Sequence, residues 1–185
     1  FFYNATGSQT VLQRAKDAGS EASMARSLGY KNKITVTDSA VFYGPGDVVS
    51  NTTALTGETY YHGAIKGEEI ANYAYNYSTK KDEAGAYIAS TLNTTSVYYY
   101  GDSDLRAGSG ATSEDRMTLS ETYKTTDITG INKEAASATN IPNIQSVTFY
   151  RQDKGDEIAD HSYNYQVGTL TEKSTSVFFY NDATT

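Results

Sequence analysis

Lys66-Gly-Glu-Glu-Ile-Ala-Asn-Tyr-Ala-Tyr-Asn-Tyr77 returns later in the chain as Lys154-Gly-Asp-Glu-Ile-Ala-Asp-His-Ser-Tyr-Asn-Tyr165, with eight of the twelve positions identical. Tyr73, Tyr75 and Tyr77 alternate with small or polar residues, as do His161, Tyr163 and Tyr165. A period of two places each trio on one face of a β-strand.

Two further landmarks flank this segment in the same order. Ser20-Glu21, Met24, Ser27 and Tyr30-Lys31 match Ser113-Glu114, Met117, Ser120 and Tyr123-Lys124 at identical internal spacing. Thr95-Ser-Val-Tyr-Tyr-Tyr-Gly-Asp102 matches Thr175-Ser-Val-Phe-Phe-Tyr-Asn-Asp182. Three ordered matches predict two diverged copies of one repeat: residues 1–97, carrying an inserted hairpin at about 42–61, and residues 98–185. The insertion holds Gly44-Pro45-Gly46 and the aromatic pair Tyr60-Tyr61. Phe1-Phe2-Tyr3-Asn4 matches Phe178-Phe179-Tyr180-Asn181, so the sequence opens on the motif with which a copy closes. That framing suits an array in which each unit covers its neighbour.

The expected fold is all-β: tandem tyrosine-rich β-hairpins, stacked or sharing a sheet. Val147–Tyr150, Ser96–Tyr100 and Ser176–Tyr180 are β-branched and aromatic runs that read as strands. Ile34–Thr37 and Ala40–Tyr43 read as strands on either side of a bend, and Gly168 as the turn of a hairpin. Val11 to Leu28 carries Ala15, Ala18, Ala22, Ala25 and Leu28 at helical spacing. Its counterpart contains Gly108 and Gly110, and glycine costs about 1 kcal/mol at each helical site. A loop feeding a strand is therefore favoured in both copies, with a short helix near the N-terminus as the alternative.

Composition narrows the function. Seventeen Tyr against six Phe and no Trp suits half-buried sheet faces, because tyrosine is apolar with a polar tip. A net charge of −7 argues against a phosphate-backbone partner, so no nucleic acid is expected. The absence of Cys excludes disulfides and thiolate metal sites. No window approaches eighteen apolar residues, so no helical membrane span is expected. Residue 1 is Phe, which reads as a processed product or an excerpt.

Tyr163-x-Tyr165-Gln-Val-Gly168-Thr-Leu170-Thr171, followed by Val177-Phe-Phe-Tyr180-Asn-Asp182, resembles the tyrosine–aspartate repeats of RHS and teneurin proteins. Gln166 stands where that family usually has Asp, and Thr169 where it usually has Arg. The resemblance implies repeated hairpins on a secreted chain.

The chemistry-bearing residues are few. His62 follows an aromatic pair, and His161 aligns with Tyr73, so both read as structural rings rather than ligands or bases. Glu68-Glu69 and Asp156-Glu157 recur, but neighbours on a strand point to opposite faces and cannot clasp one glycosidic bond. They read as solvated charge ladders between stacked repeats. Asp102, Asp104 and Asp182 offer hard oxygen ligands for calcium, without EF-hand spacing. No other cofactor is implied. Asn4, Asn51, Asn76 and Asn93 lie in Asn-x-Ser/Thr sequons and are candidate glycosylation sites. No hydrolase, P-loop or dinucleotide motif occurs, and no enzyme is expected.

The reading these features favour is a structural repeat of an extracellular or cell-surface protein that self-assembles into a fibre, filament or sheath. Its partners would be copies of itself or adjacent repeats. The assembly and stacking residues would be Tyr73, Tyr75, Tyr77, His161, Tyr163, Tyr165, Tyr98, Tyr99, Tyr100, Phe178, Phe179 and Tyr180. The alternative is a glycan- or surface-binding adhesin module, with Tyr60 and Tyr61 stacking on sugar rings.

Overall fold

A computed structural model describes residues 2–5, 8–34, 49–127, 131 and 143–181. The chain forms two compact units, Phe1–Thr94 and Thr95–Thr185. Among the described residues every regular element is a strand and there is no helix.

The first unit contains β1 (Phe2–Ala5), β2 (Ser8–Arg14), β3 (Met24–Tyr30), β4 (Leu55–His62) and β5 (Ile70–Ser78), in the antiparallel order β2-β1-β3-β4-β5. The second contains most of β6 (Thr91–Tyr100), then β7 (Leu105–Arg106), β8 (Met117–Tyr123), β9 (Ile144–Arg151), β10 (Ile158–Tyr165) and β11 (Glu172–Val177). Its order is β6-β8-β9-β10-β11, with β7 paired onto β6.

Alternation holds within each unit. Tyr60 on β4 lies opposite Arg26 on one side and Tyr73 on the other. Phe149 on β9 likewise lies between Leu119 and His161. The register slips one residue beyond each of these rings, at Tyr60/Tyr61 against β5 and at Ala159/His161 against β9. Such a bulge re-aims the strand without breaking the ladder. The turn before β5 closes with Glu68 N–H donating to the Ile65 carbonyl at 3.1 Å, and that before β10 with Asp156 N–H donating to Asp153 at 3.0 Å. Gly67 and Gly155 sit third in these turns with φ of +85° and +90°, a conformation that glycine adopts without steric penalty.

Among the described residues, the buried apolar side chains come mainly from strands. Leu55, Val97, Tyr99 and Tyr123 are completely buried, and Leu119, Ile144 and Val147 nearly so.

Several sequence expectations change. The helix permitted by the alanine spacing is absent: Val11–Arg14 end β2, Ala15–Glu21 form turns, and Met24 begins β3. Those turns close locally, with the N–H groups of Asp17 and Ala18 donating to the Arg14 carbonyl. Phe178, Phe179 and Tyr180 lie beyond the end of β11 rather than within a strand. Ile34 lies outside any strand, and the rest of the strand expected at 34–37, the strand expected at 40–43, the Gly44-Pro45-Gly46 segment and Asp182 lie outside the described residues.

Candidate functional site

Each unit carries an aromatic stack and, on the same sheet face, a buried glutamate. The ring of Tyr60 stacks on Tyr73 at 4.3 Å and 17°, and both meet the edge of Tyr75, at 5.6 and 5.5 Å. In the second unit Phe149 stacks on His161 at 4.6 Å and 14°, and both meet the edge of Tyr163, at 5.9 and 5.2 Å. Offset and edge-to-face contacts of this kind contribute about 0.5–1.5 kcal/mol each beyond area burial. His161 thus fills a ring position. Its Nδ1 lies 3.0 Å from Asp160 Oδ2, and this contact, helped by Arg151, holds the Asp160 carboxyl below its usual range.

The glutamates are Glu58 and Glu121, each 2 % exposed. They sit on different strands but at one place in the pattern. Glu58 on β4 faces Leu28 on β3, whereas Glu121 on β8 faces Val147 on β9. One unit thus pairs an aliphatic residue with an acid, and the other makes the same cross-strand pair with the partners exchanged.

Both carboxylates are held by phenols. Glu121 Oε2 accepts from the Tyr99 hydroxyl at 2.7 Å and the Tyr123 hydroxyl at 2.5 Å. Glu58 is hydrogen-bonded by Tyr60, and Arg26 lies 3.8 Å from its Oε1 while stacking its guanidinium 4.4 Å over the Tyr60 ring. Arg106 stabilises the charge of Glu121 from a distance, but burial dominates and raises that carboxyl above its ordinary value. Burial, followed by the adjacent Glu58 charge, pushes the Tyr30 and Tyr77 phenols up to about 12, and burial drives Tyr60, Tyr99 and Tyr123 higher still.

A phenol whose folded pKa lies above its unfolded value stabilises the fold fully below about pH 10, and that stability is lost as the pH rises through about 12. Absorbance at 295 nm is therefore expected to show an exposed phase near pH 10, then a late phase above about pH 12 that coincides with loss of the β-sheet circular-dichroism signal. A single phase near pH 10 with the sheet intact would contradict this placement.

A third correspondence involves the recurrent acids. Glu69 accepts from the backbone N–H of Met24 at 2.7 Å and of Gly67 at 2.8 Å. Glu157 accepts from Met117 at 3.1 Å and Gly155 at 2.9 Å. Burial acts against the Glu157 charge, yet its bonds from backbone N–H groups and the nearby Lys154 outweigh this and lower its carboxyl pKa. The second acid of each pair is therefore a clamp between the β-turn and the start of a strand within its own unit, not a solvated ladder. Charge-assisted bonds to N–H groups explain why an acid is required there.

The remaining sequence candidates are dispersed. Burial, then the Glu58 charge, raises the Tyr77 phenol, and burial, then the Glu172 charge, raises that of Tyr165. On β6, Tyr99 and Tyr100 are buried while Tyr98 is half-buried. Asp102 pairs with Arg116 at 3.0 Å, and Asp104 accepts from the Thr118 hydroxyl at 2.6 Å. No group of three or more metal-ligating side chains converges among the described residues. Of the sequon asparagines, Asn93 is exposed on β6, and Asn76 donates to Thr94 Oγ1 at 3.2 Å. Asn51 caps its own turn through Thr53 N–H, and Asn4 lies on β1. Tyr60 and Tyr61 have counterparts in Phe149 and Tyr150: Tyr61 and Tyr150 place their hydroxyls 3.3 Å from Ser27 and Ser120 respectively. The pair is therefore not peculiar to one half of the chain.

No family model, no curated protein and no solved structure matches this chain.

Proposed function

We propose that the chain is a tandem pair of tyrosine-rich β-repeats from an extracellular or cell-surface structural protein that self-assembles by adding units edge to edge. One observation carries this reading. The run Thr95-Ser-Val-Tyr-Tyr-Tyr100 and the run Thr175-Ser-Val-Phe-Phe-Tyr180 match in sequence and differ in environment. In the first, Thr95, Val97 and Tyr99 are completely buried and Tyr100 is 8 % exposed. In the second, Val177 is 56 %, Phe179 91 % and Tyr180 55 % exposed. The first run is covered by β8 and β7, whereas among the described residues β11 is paired only with β10. A contiguous exposed apolar run beside a sheet edge marks an interaction surface.

The repeated stacks and clamps support tandem duplication, because each uses matching positions in both units, and the buried acids occupy the same cross-strand pair with the partners exchanged. All of them are engaged in holding strands together, which favours a structural role over catalysis.

Negative-stain microscopy and sedimentation of the full chain across a concentration series are expected to show elongated polymers growing with concentration. Discrete 20.1 kDa particles at every concentration would defeat the proposal.

A further inference from the structure

We infer that the outer edge of β11, continued by residues 178–180, seats a strand of the β3/β8 pattern that carries an aliphatic residue opposite Val177 and belongs to a further repeat unit. This rests on the reading of that edge as an interaction surface and names its partner.

The inner edge of the run is already placed. Val177 lies opposite His161, and Thr175 opposite Tyr163. Past the end of the strand, Phe178 N–H donates to the Asp160 carbonyl at 3.0 Å, and the Tyr180 hydroxyl to the Ala159 carbonyl at 2.8 Å. The run thus follows β10, yet every residue from 172 to 180 is exposed.

The matching run in β6 shows what covers such an edge. Thr95 lies opposite Tyr123 of β8, Val97 opposite Glu121, Tyr99 opposite Leu119 and Tyr100 opposite Met117. That run is regular as far as Tyr100, whereas β11 ends at Val177. The two share sequence and differ in cover, so the missing second partner accounts for the early end. Against their next strands, Tyr30, Leu28 and Arg26 of β3 hold the places of Tyr123, Glu121 and Leu119. Met24 and Met117 begin the two strands under matching acid clamps. The chain therefore contains two versions of the covering strand.

The residue opposite Val177 separates them. Opposite Val97 stands Glu121, whose Oε2 accepts from the Tyr99 and Tyr123 hydroxyls. Phe179 takes the place of Tyr99 and has no hydroxyl. An acid buried against it loses one of its two phenol donors, which raises the cost of burial. An aliphatic residue, as at Leu28, carries no such cost. Within this chain β3 and β8 already have β1 and β6 on that side, so the partner is a unit in which a strand of this type is open. Main-chain hydrogen bonds would supply affinity, and the alternate side chains specificity.

Three peptides probe the full chain: residues 114–126, the same peptide with Glu121→Leu, and residues 21–33. Fluorescence anisotropy is read at high ionic strength, which screens their different charges. The Glu121→Leu peptide is expected to bind about tenfold tighter than its parent, and the 21–33 peptide to match it. Equal affinities for all three would overturn the aliphatic requirement. Because the chain has no cysteine, a mixed disulfide reports the register. Residues opposite one another on antiparallel strands lie within disulfide reach, and the next residue points to the other face. Val177→Cys in the chain should trap the 21–33 peptide carrying Leu28→Cys and not the one carrying Ser27→Cys. Equal trapping of both, or of neither, would overturn the seat. Adding Phe179→Asp should abolish trapping with the circular-dichroism spectrum unchanged, since that side chain is 91 % exposed. Polymers in the microscope without peptide binding would overturn this partner and leave self-assembly standing. Monomers without peptide binding would overturn both. Monomers that trap the peptide in register would uphold the partner strand and overturn self-assembly of the chain alone.

Discussion

Replacing Glu121 with Leu is expected to destabilise the second unit by about 2–4 kcal/mol, because it strands two buried phenol donors. Tyr99 and Tyr123 are both completely buried, and the Glu121 Oε2 atom accepts from both. Leucine supplies apolar volume but no acceptor. Glu121→Gln should behave differently. An amide oxygen can still accept, while the cost of burying a charge disappears. Burial raises the Glu121 carboxyl pKa, so this residue stabilises the fold most when protonated, below the unfolded value of 4.5, and the contribution is lost as pH rises through the folded pKa. The Gln variant should accordingly lose that pH dependence and equal or exceed the native chain at neutral pH. The exchanged cross-strand pair adds a sharper test. Val147→Glu alone buries a second acid, whereas Glu121→Leu with Val147→Glu keeps one acid opposite one aliphatic residue, in the order of the Leu28–Glu58 pair. The double variant should recover about 1–2 kcal/mol relative to the sum of the singles. Urea denaturation measures all four proteins. Strict additivity would mean that the two sites are unrelated.

That exchange also explains why the buried acids are hard to see in the sequence. A position-by-position comparison meets Leu28 against Glu121 and Glu58 against Val147, two mismatches that hide one conserved pair. The same masking hides β4. Leu55–His62 and Ile144–Arg151 share only Thr59/Thr148 and Tyr61/Tyr150, so Tyr60 reads as an inserted ring although it occupies the place of Phe149. By contrast, β5 and β10 are legible at once, because strict alternation of tyrosine with small residues has a strand period and their turns retain the Lys-Gly pair. The clamp acids are visible as a recurrence, but their role is not. An acid beside a turn glycine looks solvated until the fold brings Met24 or Met117 within reach. Propensity likewise extends β11 through Phe178–Tyr180, since it registers aromatic residues and not where pairing stops. The alanines before β3 mimic a helix stripe for a similar reason: small residues suit tight turns as well as helices.

Tyr60→Ala is expected to cost the first unit about 3–4 kcal/mol, within the range for deleting a large aromatic side chain. The side chain is only half-buried, yet it joins four groups: the Tyr73 face, the Tyr75 edge, the Arg26 guanidinium and the Glu58 carboxylate. Truncation leaves Glu58, 2 % exposed, with a phenol donor removed and Arg26 without its ring. Tyr60→Phe keeps the stack and the cation–π contact and removes only the hydroxyl. Its cost should be about 1–2 kcal/mol, since Arg26 remains near the carboxylate. The second unit supplies the control. Phe149 makes the corresponding stack without a hydroxyl, and Leu119 and Val147 replace Arg26 and Glu58 around it. Phe149→Tyr should therefore yield no stabilisation, because Val147 stands where Glu58 accepts from the Tyr60 hydroxyl, and Glu121 is already held by Tyr99 and Tyr123. Thermal and urea unfolding of the three variants decide the matter. If Tyr60→Ala and Tyr60→Phe were equally mild, the ring would be a surface feature free to stack on a sugar. A large gap between them would place it within the architecture, and a loss of glycan binding in Tyr60→Ala would then report unfolding of its sheet rather than removal of a binding platform.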